Sequence, residues 1–317
     1  MSGAAQLGKD EARAIARAAL AELGEDGPWG LGCLKNREQP LPEQVFCAAT
    51  PHRRIAVKVY APASAGKARA QADRQRVVAQ AGIAPEVLFF DDARLVLGMA
   101  YLDAPNLRAL WPHRCGSARL GLLTASGRWL RRLHDLEAQP HPFRPKGHVS
   151  WMERVLGWHA DGSRTYPDAE DFAAKTEELT AMAPALRGLP AWRAVTHRDL
   201  HLSNLLATPE VVVGVDYENA KHDEPLRDLV TLLIDAMAEA GEHTPRPMAS
   251  ALSKGYGACE IPPEAVLFLQ RTFALGEWSR MPESPSVAQS ARYLAARAVI
   301  AADVEGSNTL HWQTLPR

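Results

Sequence analysis

The densest group of chemistry-bearing side chains lies in the middle of the chain, where His197, Asp199, His201 and Asn204 fall within eight residues. An apolar run, Val211 to Val215, follows and ends in Asp216-Tyr217-Glu218. Phosphoryl transfer requires a carboxylate to orient the attacking hydroxyl and take its proton, and oxygen ligands to hold Mg2+ against the nucleotide phosphates. Asp199 can serve as the carboxylate. Asn204 and Asp216 can serve as metal ligands, because a hairpin over Leu205–Ala207 and Val211–Val215, turned at Thr208-Pro209, returns the chain to its starting edge. A single Asp at a turn is more often a local cap or Asx-turn residue, so it is the set and its spacing that point to chemistry.

The same stretch admits other chemistry. His197, Asp199 and His201 alternate along an extended segment, so all three could face one way and bind a metal as in a hydrolase, with His222 and Asp223 as further ligands. Upstream, Lys58 interrupts the apolar run Ala56-Val57-Lys58-Val59-Tyr60. A bare ammonium buried there costs several kcal/mol unless a partner compensates it, as a phosphate or carboxylate would.

His197-x-Asp199 with Asn204, an apolar strand, Asp216-Tyr217-Glu218 and then Asp223-Glu224-Pro225-Leu226-Arg227-Asp228-Leu229 together resemble the aminoglycoside phosphotransferase and choline kinase superfamily, a branch of the protein-kinase-like fold. Agreement runs from His197 to Leu229, and Gly82-Ile83-Ala84-Pro85-Glu86-Val87 is similar to the choline-kinase-like branch. The resemblance implies an ATP- and Mg2+-dependent kinase for a small-molecule alcohol. Asp199 would be the catalytic carboxylate, Asn204 and Asp216 the metal ligands, and His197 and Asp228 the structural supports of the loop. Lys58 would contact the nucleotide phosphates, Asn36 would do so from a polar loop within Trp29–Asn36, and the backbone of Met99, Ala100 and Tyr101 would meet the adenine. Members usually pair the lysine with a helix glutamate, but here Gln71 stands in that place and Asp73 is the nearest carboxylate. That departure keeps open a nucleotide-binding protein without catalysis, and the hydrolase remains a further alternative. Glu277, Asp235 and Glu218 are carboxylates able to neutralise an amine on the acceptor.

The elements expected around these residues form an α+β, two-lobed fold. Residues 1–102 read as a small antiparallel sheet with a helix at Glu11–Leu23 and another at Lys67–Ala81; strands are expected at Val45–Ala49, Ile55–Tyr60, Val87–Phe90 and Leu95–Tyr101. Residues 103–317 read as mainly helical, with segments at Leu120–Leu136, Trp151–Trp158, Ala169–Met182, Leu226–Ala240, Pro263–Trp278 and Val287–Val304. A cleft between two such lobes is the expected site. With 46% hydrophobic residues and a formal charge of −1, the chain is globular in composition and has no bulk field to hold nucleic acid or an anionic membrane. No apolar stretch approaches the ~20 residues of a membrane span. Cys33, Cys47, Cys115 and Cys259 form no C-x-x-C pair, which suits a reducing cytoplasm.

Overall fold

The computed structural model describes residues 6–23, 29–34, 40–258 and 261–302. Asn36 and Cys259 lie outside them. The chain divides into two compact units, Met1–Ala104 with Val213–Ala220, and Pro105–Val212 with Lys221–Arg317. The short segment carrying Asp216 thus groups with the first unit.

In the first unit, α1 (Lys9–Ala21) is followed by β1 (Gly30–Cys33), β2 (Glu43–Ala49), β3 (Arg54–Tyr60), α2 (Ala65–Gln80), β4 (Val87–Asp91) and β5 (Val96–Ala100). The strands form an antiparallel sheet in the order β1-β2-β3-β5-β4. Residues expected to begin a phosphate-covering loop, Gly30 to Cys33, are instead the edge strand β1. Side chains alternate across β3. Ile55, Val57 and Val59 pack in one cluster with Ala12, Ala16 and Leu20 of α1, whereas Tyr60 packs in another with Ala68 and Ala72 of α2. Lys58 shares the register of Tyr60 and therefore faces α2, where Gln71 lies.

The second unit contains α3 (Leu107–Leu110), α4 (Gly116–Asp135), β6 (Gln139–Pro142), α5 (Lys146–Ala160), α6 (Ala169–Leu186), β7 (Pro190–Thr196) and β8 (Leu205–Ala207). After β9 (Val212–Gly214), whose last two residues belong to the first unit, come β10 (Lys221–Asp223), α7 (Leu226–Ala240), α8 (Arg246–Tyr256), α9 (Pro263–Trp278) and α10 (Val287–Ala301). The expected hairpin is present as β8 and β9, with Thr208 N–H bonded to Val211 O at 3.0 Å. A small antiparallel sheet, β10-β7-β6, leads into the loop at His197. Helix α7 is buried nearly throughout and packs against α8, α9 and α10. No described helix is long and apolar enough to cross a membrane.

Helix α8 is absent from the expected set. Pro245 and Pro247 at its start and Gly255 near its end read as turn signals, yet Met248, Leu252 and Tyr256 recur every four residues and are buried. The glycine that masks the helix also permits its packing. A Cβ on Gly255 would come 1.9 Å from Thr124 O, and one on Gly127 of α4 would come 2.2 Å from Leu252 O. Gly255→Ala is therefore expected to lower the unfolding free energy by about 2 kcal/mol or more in denaturant titration. Gly121→Ala, on α4 with nothing within 4 Å of its Cβ, is the control, expected to be neutral or stabilising by up to about 1 kcal/mol.

Candidate active site

In the first unit the site is organised by a buried ammonium. Lys58 Nζ lies 2.6 Å from Asp216 Oδ1, 2.7 Å from Glu218 Oε2 and 3.1 Å from Gln71 Oε1. Burial alone would push the lysine pKa down, but Asp216, then Tyr60 and Glu218, hold it above its ordinary value. Gln71 is itself buried and also accepts from the Tyr60 hydroxyl. Lys67, from the first turn of α2, reaches the other oxygen of Glu218 at 2.8 Å. The sequence expectation that Asp73 is the carboxylate nearest to Lys58 is therefore corrected. Asp73 is exposed and pairs with Arg76 one helical turn away, while the carboxylates that meet Lys58 come from the D-Y-E motif.

Asp216 and Glu218 are held in place by backbone chemistry. Asp216 has φ 70°, in the left-handed region, a conformation costing a non-glycine residue on the order of 1–3 kcal/mol. Surrounding contacts offset it. The Tyr217 side chain is buried and its hydroxyl donates to Ile83 O at 3.3 Å, and the Gly214 amide donates to the same carbonyl at 3.0 Å. The Gly82-to-Val87 segment noticed in the sequence thus anchors the D-Y-E turn. At the end of β5, Met99 and Ala100 pair in register with Ala56 and Ile55. The Ala100 amide already donates to Glu86 O at 2.9 Å, and the Tyr101 ring lies under the Arg54 guanidinium at 4.8 Å.

In the second unit the loop after β7 carries His197, Asp199, His201 and Asn204. Asp228, fully buried on the first turn of α7, accepts the His197 amide at 2.6 Å and the Arg198 amide at 2.8 Å, and meets His134 Nε2 at 3.2 Å. Arg198 has φ 68°, so the loop turns through a strained residue whose amide the carboxylate holds. Burial works to raise the Asp228 pKa, but the His134 hydrogen bond, neighbouring imidazoles and the Arg198 amide keep it below the usual carboxylate range. Asp199 follows with its side chain half exposed. Asn204 donates its side-chain N–H to Asp199 O at 2.8 Å, which turns its Oδ1 away from that carbonyl.

His201 has a partner at each ring nitrogen. Its Nε2 lies 3.0 Å from Asp199 Oδ1 and its Nδ1 3.3 Å from Asp235 Oδ1. The His197 ring is buried and meets the Trp129 ring in a T-shaped arrangement. The three residues of the alternating His-Asp-His pattern therefore do not converge as ligands, and among the described residues no group of three His, Cys, Asp or Glu is placed to hold a metal ion. The carboxylates considered for an acceptor amine are also committed elsewhere. Asp235 pairs with Arg108 and Arg292, Glu277 with Arg280 and Arg292, and Glu218 with Lys58 and Lys67.

Sequence reasoning missed the His201–Asp235–Arg292 contacts and Glu218 as the partner of Lys58. The i, i+2 spacing of Asp199 and His201 is the one local signal that was available.

Since the folded pKa of Asp228 is depressed, its charge contributes stability that is complete above the unfolded carboxylate value near pH ~4 and lost as pH falls below it. Asp228→Asn should cost on the order of 2–4 kcal/mol at pH 7, with the gap to wild type closing as thermal melts are taken to pH ~3. A constant gap would mean that the charge contributes nothing.

Residues 41–265 match the phosphotransferase enzyme family. No curated protein matches the chain significantly. Among solved structures, a choline/ethanolamine kinase family protein from Mesorhizobium loti shares 22% identity over 97% of this chain and 99% of its own, with a TM-score of 0.62. A choline kinase from Streptococcus pneumoniae shares 18% over 92% and 99%, with a TM-score of 0.60. An amicoumacin kinase, solved in complex with AMP-PNP, Ca2+ and Ami, shares 13% over 93% and 96%, with a TM-score of 0.52. These likenesses show the fold, a kinase-like one with an antiparallel sheet early in the chain and helices after it. The match over residues 41–265 shows the family: this chain belongs to the phosphotransferase enzyme family.

Proposed function

We propose that the chain transfers the γ-phosphoryl group of ATP to a hydroxyl of a small molecule. The observation that carries this reading is the Lys58 ammonium, buried and held by Asp216 and Glu218 at 2.6 and 2.7 Å. A buried cation beside an acidic residue of the metal-ligand type is the pairing a nucleotide triphosphate requires. Lys58 faces the α- and β-phosphates, with Glu218 as its fixed counter-ion in place of a helix glutamate. The polar group at the phosphates expected from Asn36 lies outside the described residues. Since the Ala100 amide is engaged by Glu86 and Met99 lies inside the ladder opposite Ala56 and Val87, the Tyr101 backbone, just past the strand, is the group assigned to the adenine.

The donors suit the metal. Asn204 and Asp216 offer hard oxygen ligands of the kind Mg2+ takes. When bound, Mg2+ neutralises phosphate charge as transfer proceeds. Asp199 orients the acceptor hydroxyl and takes its proton as the oxygen–phosphorus bond forms, with ADP as the leaving group. His197 and Asp228 keep the loop in shape. Little covalent work is asked of these side chains, so positioning and charge account for most of the acceleration. The amicoumacin kinase with AMP-PNP and Ca2+ supports the nucleotide and divalent cation, and the choline kinases support a small alcohol as acceptor. A buried lysine with intact counter-ions and the Asp199–Asn204 pair favour an active enzyme over a pseudokinase.

ADP formation across amino alcohols, aminosugars, neutral polyols and vitamins, with and without Mg2+, tests the reading; at least one acceptor should stimulate turnover, and only with the cation. Asp199→Asn should keep ATP affinity by calorimetry while turnover falls on the order of 10²-fold or more. Asp216→Ala should lose Mg2+-dependent ATP binding. Near-normal turnover in the first variant, or unchanged affinity in the second, would remove that residue from its role.

A further inference from the structure

Helix α7 presents Asp228 and Asp235 seven residues apart, two helical turns on the same face. The first takes the amides that open the catalytic loop. The second takes the loop's middle: Asp235 Oδ2 accepts the Leu202 amide at 2.8 Å, while Oδ1 faces His201 Nδ1 at 3.3 Å. Asp235 is itself buried and held by Arg108 Nη2 at 2.9 Å and Arg292 Nη1 at 2.7 Å. Arg292 is fixed in turn by Glu277. The imidazole thus stands on a rigid, charge-compensated base, and its other nitrogen, Nε2, reaches Asp199 Oδ1 at 3.0 Å.

We propose that His201, seated on Asp235, is a positioning residue that fixes the carboxylate of Asp199 by donating Nε2–H to Oδ1, leaving the second oxygen oriented toward the acceptor hydroxyl. Resting on the kinase reading above, it assigns a function to a histidine that the phosphoryl-transfer roles leave unused. The geometry holds in either protonation state. A doubly protonated ring donates to both Asp199 and Asp235. A neutral ring with its proton on Nε2 still donates to Asp199, while Nδ1 accepts from Arg292 Nη1, 3.3 Å away. The charged groups facing the ring are Asp199, Asp235 and Arg292, with Arg108 and Glu277 behind them. Burial lowers the affinity of the ring for its second proton, but the hydrogen bonds to Asp199 and Asp235 outweigh it and the opposing Arg292 charge, so the pKa is pushed up to about 9.

A misplaced carboxylate costs turnover on the order of tenfold to 10²-fold without weakening the nucleotide. His201→Leu should therefore lower kcat by that factor and leave the ATP Kd within about twofold. His201→Gln, whose side-chain amide can supply the same donor, should recover most of the loss. In an Asp199→Asn background, His201→Leu should cost less than about threefold more, because the group it positions is already disabled. Independently of activity, the His201 Nε2–H should be protected from solvent exchange in the wild type and should exchange faster in Asp199→Ala, which removes its acceptor. A leucine variant with normal kcat, an equal loss in the glutamine variant, a parallel loss of ATP affinity, or an Nε2–H exchange rate unmoved by Asp199→Ala would each overturn the proposal. Failure of the wild type to consume ATP with any acceptor would instead overturn the kinase reading, and the Nε2–H exchange would then decide the His201–Asp199 contact by itself.

Discussion

An irregular loop has no repeating hydrogen bonds of its own, so something else must satisfy its amides and hold its shape. In this chain that task falls to buried carboxylates on one helix. Asp228 takes the amides of His197 and Arg198, and Asp235 takes the amide of Leu202 and one edge of the His201 ring. Because both acids sit on α7, the loop inherits the rigidity of a helix that is packed on nearly every side. Burying them is costly in isolation. Each is compensated, Asp228 by His134 and two backbone donors and Asp235 by two arginines, so the carboxylates remain ionised where an apolar core would otherwise neutralise them.

The same rule governs the first unit with the sign reversed. Lys58 is a buried cation whose compensation comes from Asp216 and Glu218, with Gln71 supplying a neutral acceptor from the helix. A glutamate at position 71 would add a third negative charge beside two already present. The amide keeps the hydrogen bond and omits the charge. Lys67 then brings the ion-paired side chains to two cations and two anions. The carboxylates that compensate Lys58 therefore come from the D-Y-E turn, which Ile83 anchors through Gly214 and Tyr217.

What the sequence made legible was the local part of this arrangement. The close spacing of Asp199 and Asn204, the apolar alternation around Lys58 and the Leu226–Ala240 and Pro263–Trp278 helices were all readable because each depends on near neighbours. The antiparallel first sheet followed from short connections between apolar runs. What escaped were contacts between distant positions. Asp235 meets His201 across 34 residues and Arg292 meets it across 91, and no periodicity encodes such pairs. For the same reason the carboxylates Asp235 and Glu277 read as available to an amine until the arginines opposite them came into view. Short strands such as β6, with two prolines in four residues, and helix α8, framed by proline and glycine, escaped because tertiary packing overrides their local signals.

The most direct measurement is 31P NMR of the protein with ATP, Mg2+ and an acceptor that stimulates ADP formation. If Asp199 directs a hydroxyl at the γ-phosphorus, a new phosphomonoester resonance should grow in step with ADP. ATP broken down to ADP and inorganic phosphate alone, with no ester formed by any acceptor, would contradict it.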